Sequence, residues 1–124
     1  MYIIRGQIPS KSNCYKIVSH VDPKTKKVFS SLAKQEVLKK YEDNFYIQCP
    51  ERGRMVTGFF KLKAKVYFSS NRPDLDNSLK ILLDCLQTTK TIKNDRQCVC
   101  IEIEKFVDKQ DPRVEYEVIP VEFE

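Results

Sequence analysis

The chain has 124 residues, a formal net charge of +5 and 41% hydrophobic residues, with six Tyr and seven Phe, enough apolar material for one core and too little chain for a second domain. No apolar run approaches the roughly twenty residues of a spanning helix, and Met1-Tyr2-Ile3-Ile4 is cut off by Arg5 before reaching the length of a signal-peptide core, so no membrane partner and a cytoplasmic location are expected. Five cysteines without framework spacing and a single histidine, His20, argue for reduced thiols and against a tetrahedral zinc site.

Tyr2 to Gln7 reads as a strand, followed by the turn-prone Pro9-Ser10-Lys11-Ser12-Asn13. Cys14 to Val21 and Lys27 to Phe29 form a candidate hairpin around Asp22-Pro23-Lys24-Thr25. Ser30 or Ser31 is placed to cap a helix running to about Phe45, with Leu38, Tyr41 and Phe45 on one side, and that helix must stop before Pro50. Between Phe60 and Phe68, the apolar residues Phe60, Leu62, Ala64, Val66 and Phe68 alternate with Lys61, Lys63, Lys65 and Tyr67, the pattern of a half-buried strand. A second helix is predicted from about Asn77 to Gln87, burying Leu79, Leu82, Leu83 and Leu86 at i, i+3, i+4, i+7. Val99, Ile101 and Ile103, then Val114, Tyr116 and Val118, mark two closing strands joined by a turn from Asp108 to Pro112. The element order predicts a single small α+β domain, a mixed β-sheet packed with two main α-helices.

Charge is distributed unevenly along this order. Residues 1–65 hold 14 Lys and Arg against 5 Asp and Glu, whereas residues 66–124 hold 8 against 12. A basic half attracts a polyanion and an acidic half suits a cation, so nucleic acid with a divalent metal satisfies both; an ordinary solvated surface satisfies them too. The period of two places Lys61, Lys63 and Lys65 on one strand face, either a phosphate-facing stripe or solvated lysines.

The residues with chemical potential lie in Arg72-Pro73-Asp74-Leu75-Asp76-Asn77-Ser78-Leu79-Lys80. If Asp74-Leu75-Asp76 is extended, both carboxylates point to one side while Leu75 turns to the core. Two close carboxylates repel unless a proton or cation intervenes, and an oxygen-lined site suits Mg²⁺ or Mn²⁺. Asp76 or Asn77 sits where a helix N-cap belongs, and Lys80 and Asp84 follow Asp76 along one helix face. Plainer roles exist for each: Asp76 as a cap, Lys80 as a surface partner of Asp84, and Asp-x-Asp as a chance pair. Asn94-Asp95 follows in a polar stretch before the next strand, and only the fold can return that acid to the start of the helix.

Asp74-Leu75-Asp76-Asn77, a helix carrying Lys80 and Asp84, and a turn with Asp95 and Gln97 before a strand resemble the RusA-type Holliday junction resolvases. Pro9-Ser10 and Asn13 resemble the family's opening after its first strand. The resemblance implies a small α+β fold, a homodimer, dependence on Mg²⁺ (with Mn²⁺ as a substitute) and cleavage of four-way DNA by paired symmetric nicks. By motif position, Asp74, Asp76 and Asp95 become the essential, metal-holding acids and Lys80 the essential cation; Asn77 matches the motif's asparagine. Where the family often has two consecutive acids at the turn, this chain has Asn94 and then Asp95. Lys11, Lys16, Lys61, Lys63 and Lys65 are candidates for contacts that position DNA without reading its bases. A related nuclease acting on flaps or forks, and a non-catalytic branched-DNA-binding protein, are the alternatives.

Overall fold

The strand expected at Phe60–Phe68 forms over those residues and lies inside the sheet, with a hydrogen-bonded neighbour on each side. In the computed structural model, the described residues are 1–9, 15–21, 28–34 and 36–122, the segments 15–21 and 28–34 as backbone. The order is β1 (Tyr2–Arg5), β2 (Tyr15–Val21), β3 (Val28–Lys34), α1 (Glu36–Gln48), β4 (Phe60–Phe68), α2 (Leu75–Thr88), β5 (Cys98–Val107) and β6 (Arg113–Pro120). A short 3-10 turn, Asp95–Gln97, precedes β5. Four strands make a mixed sheet in the order β1-β6-β4-β5, and β2 and β3 make a separate antiparallel pair. This is the expected α+β arrangement in a single small domain.

Alternation decides the layers. Phe60, Leu62, Ala64, Val66 and Phe68 of β4, Val114, Tyr116 and Val118 of β6, and Ile4 of β1 are buried on the inner face. The same core takes Leu38, Tyr41 and Phe45 from α1 and Ile81, Leu82, Leu83, Cys85 and Leu86 from α2. Leu79 is only half-buried, and the fully buried Ser78 occupies part of the face expected to be leucine, its hydroxyl donating to the Leu75 carbonyl at 2.7 Å. Gln48 ties the end of α1 to β1: its amide oxygen accepts the Arg5 N–H at 2.7 Å and its amide nitrogen donates to the Arg5 carbonyl at 2.9 Å.

Several boundaries differ from expectation for physical reasons. β1 ends at Arg5, short of Gln7, because Gly6 turns the chain with φ of 104° and gives its N–H to Pro112. Ser30 and Ser31 do not cap a helix; they pair with Ser19 and Val18 in β3, where the ladder to β2 outcompetes a local cap, and α1 begins at Glu36 and ends at Gln48, still before Pro50. α2 begins at Leu75, with Asp74 as its N-cap in extended conformation, so neither Asp76 nor Asn77 caps it and the extended Asp74-Leu75-Asp76 does not exist. Pro73 restricts the residue before it and leaves those after it free to enter the helix. The 108–112 turn joins β5 to β6, yet the two strands are not neighbours: β4 lies between them, parallel to β5 and antiparallel to β6. Ser10 to Asn13, Cys14, the 22–25 turn and Lys27 lie outside the described residues.

Leu82 sits on α2 with no exposed surface. Leu82→Ala is expected to lower unfolding free energy by about 2–5 kcal/mol in urea denaturation, and Leu79→Ala by clearly less. Equal losses would contradict the observed helix face.

Candidate active site

Asp74 stands at the junction of the loop after β4 with α2 and makes no side-chain hydrogen bond to the helix it caps. An N-cap carboxylate ordinarily accepts an N–H from the first turn; here it does not, and its oxygens stand uncommitted to the helix at the positive end of the helix dipole. Asp76, one residue into the helix, accepts the Asn77 backbone N–H at 3.0 Å. Asn77 thus meets Asp76 through its backbone N–H. Both acids are exposed.

Lys80 and Asp84 continue the same helix face, and the fold brings Asp95 to it. The Lys80 ammonium lies 2.9 Å from Asp95 Oδ2 and 3.2 Å from Asp84 Oδ1. Asp95 is held by its backbone N–H, which donates to the Gln87 side-chain oxygen at 3.1 Å, so α2 grips the turn at two points. Asn94 caps that turn, its side-chain oxygen accepting the Arg96 N–H at 3.1 Å. The departure from two consecutive acids thus fills a capping position that an aspartate would also fill. Gln87 was not singled out in the sequence; its signal is its place one turn beyond Asp84, close to the returning chain.

Lys80 is held above its ordinary pKa of 10.5, first by the hydrogen bond to Asp95 and then by that to Asp84. The lysine stripe is also present but not bare. Lys61 pairs with Glu102 at 2.7 Å and Lys63 approaches the same carboxylate at 4.0 Å, while Lys65 lies opposite Glu104 and Glu115 in register. On the same face the Tyr67 ring stacks on Phe106 with centroids 4.9 Å apart, and the Arg113 guanidinium lies 3.7 Å over Tyr67. Phe60, at the start of β4, is fully buried in the core. Lys11 lies outside the described residues, as does the side chain of Lys16.

The sequence model described as endodeoxyribonuclease RusA matches residues 9–119, nearly the whole chain. The chain belongs to the RusA family. It is accordingly an endodeoxyribonuclease of the Holliday-junction-resolving kind, a DNA-binding nuclease of recombination and repair. No curated protein matches the chain. No helix among the described residues is long and apolar enough to cross a membrane.

RusA-family resolvases are metal-dependent, and the donors here suit a hard divalent cation: carboxylate oxygens, two of them on acids with no cationic partner among the described residues. The gathering is looser than a finished cage. Among the described residues no three acidic, histidine or cysteine side chains converge on one point, and Asp95 is engaged by Lys80.

Because Lys80 is more basic in the folded protein than in the unfolded chain, its pairs contribute their full stability below pH 10.5 and lose it as pH rises through the raised value. Exposed pairs of this kind contribute about 0–1 kcal/mol. The melting temperature of Lys80→Gln should therefore sit slightly below that of the native protein by a constant margin from pH 6 to about 9, a margin that closes at more alkaline pH. A margin that widens above the lysine range would contradict the assignment.

Proposed function

We propose that this RusA-family enzyme resolves four-way DNA by paired symmetric nicks, hydrolysing one phosphodiester in each of two equivalent strands with Mg²⁺ as its cofactor and Mn²⁺ as a substitute. The observation that carries the reading is the reach of Lys80 from α2 to Asp95, which brings the acid after the helix to the helix face that begins at Asp76. Asp74, Asp76 and Asp95 would hold the metal. When bound, a divalent cation supplies positive charge to the phosphate oxygens and makes the attacking water more acidic.

The remaining work falls to the chain's own residues. Asp74 and Asp76 define where the scissile phosphate lies, at a helix N-terminus whose dipole favours anions. Lys80 rests neutralised between Asp84 and Asp95. Its ammonium is within reach of charge growing on the phosphate or on the departing oxygen, where a fixed cation lowers the barrier. Asn77 and Asp84 support the same helix face. The attack is in line: water forms the new P–O bond as the bond to the leaving strand breaks.

Lys11, Lys16, Lys61, Lys63 and Lys65 are proposed to contact the DNA backbone, each pairing with phosphate in exchange for counterions or, at Lys61 and Lys63, for Glu102. The functional unit is the single domain of residues 1–124, assembled as a homodimer in the cytoplasm. A two-fold pair places one site on each of the two equivalent strands of a junction.

Cleavage of an end-labelled four-way junction, with linear duplex and flap controls, with and without Mg²⁺, checks this reading. Native protein should give symmetric nicks near the branch point only with metal. Asp76→Asn should bind the junction at native affinity and lose more than the roughly 100-fold that removal of an orienting partner costs. Preferential cutting of flaps would move the enzyme to a different branched substrate, and junction binding without cleavage in either protein would sink the catalytic reading.

A further inference from the structure

The inner face of β5 carries one residue that does not fit a core. Register with β4 pairs Leu62 with Ile101, Ala64 with Ile103 and Val66 with Lys105, so the period of two aims Lys105 toward the helices, where its neighbours are apolar. Lys105 is half-buried, and its ammonium lies 5.9 Å from the centre of the Phe68 ring. A cation at such a position is costly unless its N–H groups are answered. Here they are: Lys105 Nζ donates to the Asn71 carbonyl at 2.9 Å and to the Pro73 carbonyl at 2.6 Å.

Those two carbonyls belong to the loop that delivers Asp74. A peptide unit is planar, so fixing the Pro73 carbonyl also fixes the plane of the Pro73–Asp74 bond and the start of Asp74 itself, whose φ is −85°. The Pro73 ring fixes the φ of Pro73 itself, on the other side of that carbonyl. Among the described residues the other ties on the loop are a local one, the Arg72 N–H donating to the Ser70 hydroxyl at 3.4 Å, and two nearer β4, where the Ser69 N–H donates to Gln7 and the Phe68 carbonyl accepts from Asp108. Between those ties and the helix, Asn71, Arg72 and Asp74 are exposed.

We propose that Lys105 is a positioning residue for the active site, a two-pronged clamp from β5 that sets the Asn71–Pro73 backbone and thereby the place of the Asp74 carboxylate. The inference rests on the reading of Asp74 as a site acid. Lys105 touches no reacting atom in this scheme; it acts through the loop. Its signal in the sequence is the lysine that interrupts the apolar series Val99, Ile101, Ile103 before Val107.

The test uses Lys105→Met, which keeps the stem and removes the donors, and Lys105→Arg, which keeps a forked cation. Hydrogen–deuterium exchange of the metal-free protein should show faster exchange of the 69–76 segment in Lys105→Met, with the core strands unchanged and Lys105→Arg close to native. Junction cleavage by Lys105→Met should fall about 10- to 100-fold in kcat, as for loss of other partners that orient a ligand, with junction affinity retained and more Mg²⁺ needed for half-maximal rate. Lys105→Arg should recover most of it.

Native exchange in Lys105→Met would overturn the clamp, and so would a change confined to oligomeric state, which would mark the lysine as an inward charge guarding an edge strand. Faster exchange with native cleavage would overturn the positioning role. Asp74→Asn, run alongside, separates the two ideas: full cleavage by that variant would overturn the reading of Asp74 and leave the exchange result on Lys105 standing.

Discussion

Parallel pairing of β4 with β5 is the constraint from which the site follows. Antiparallel neighbours can be joined by a tight turn, but parallel ones need the chain to travel back the length of the sheet before the second strand begins. In this chain α2 is that return, entered through Asp74 and left through the 89–97 segment. The acids at the helix start and Asp95 after its end are separated by a whole helix in sequence. Lys80, long enough to bend from the helix face to the turn, bridges part of that distance.

The far end of the crossover is fixed by backbone hydrogen bonds. Gly53, Met55 and Val56 donate to the carbonyls of Thr89, Lys90 and Thr91, and Lys93 donates back to Val56. Beneath this lacing the hydroxyls of Thr89 and Thr91 lie 2.9 Å apart, with the Cys49 thiol 3.4 Å from Thr91 and 3.5 Å from the Tyr116 hydroxyl. Burial pushes the Tyr116 phenol far above its ordinary range, so the tyrosine stays protonated here. Its members come from the segment after α2, the residue after α1, and β6. The turn carrying Asp95 is thereby referred to the core and not only to the surface pairs around Lys80.

The sheet and the second helix were legible because their apolar residues follow one period each. Phe60–Phe68 is reproduced residue for residue, since burial on one face and charge on the other leave a single register. Ser30 and Ser31 misled because a serine before an apolar run signals a cap only where no strand partner competes. The start of α2 was placed two residues late for a related reason: capping chemistry is offered by Asp74, Asp76 and Asn77 alike, and Ser78 and Leu75 closing the first turn decide among them. Of the candidate site, the residue types and their order could be read directly. The meeting of Lys80 with Asp95 could not, because spacing holds no information about where a crossover returns. Nor could the pairing of Lys61 with Glu102, which depends on two strands being neighbours across α2.

In the proposed enzyme, Asp74, Asp76 and Asp95 serve one metal-dependent centre. Anomalous diffraction from crystals soaked in Mn²⁺ tests it without reference to any rate. A peak in contact with Asp74 and Asp76 oxygens, with Asp95 drawn from Lys80 toward the same ion, is the predicted result. Density for manganese only at other sites, with the Lys80–Asp95 pair intact and Asp74 and Asp76 untouched, would contradict it.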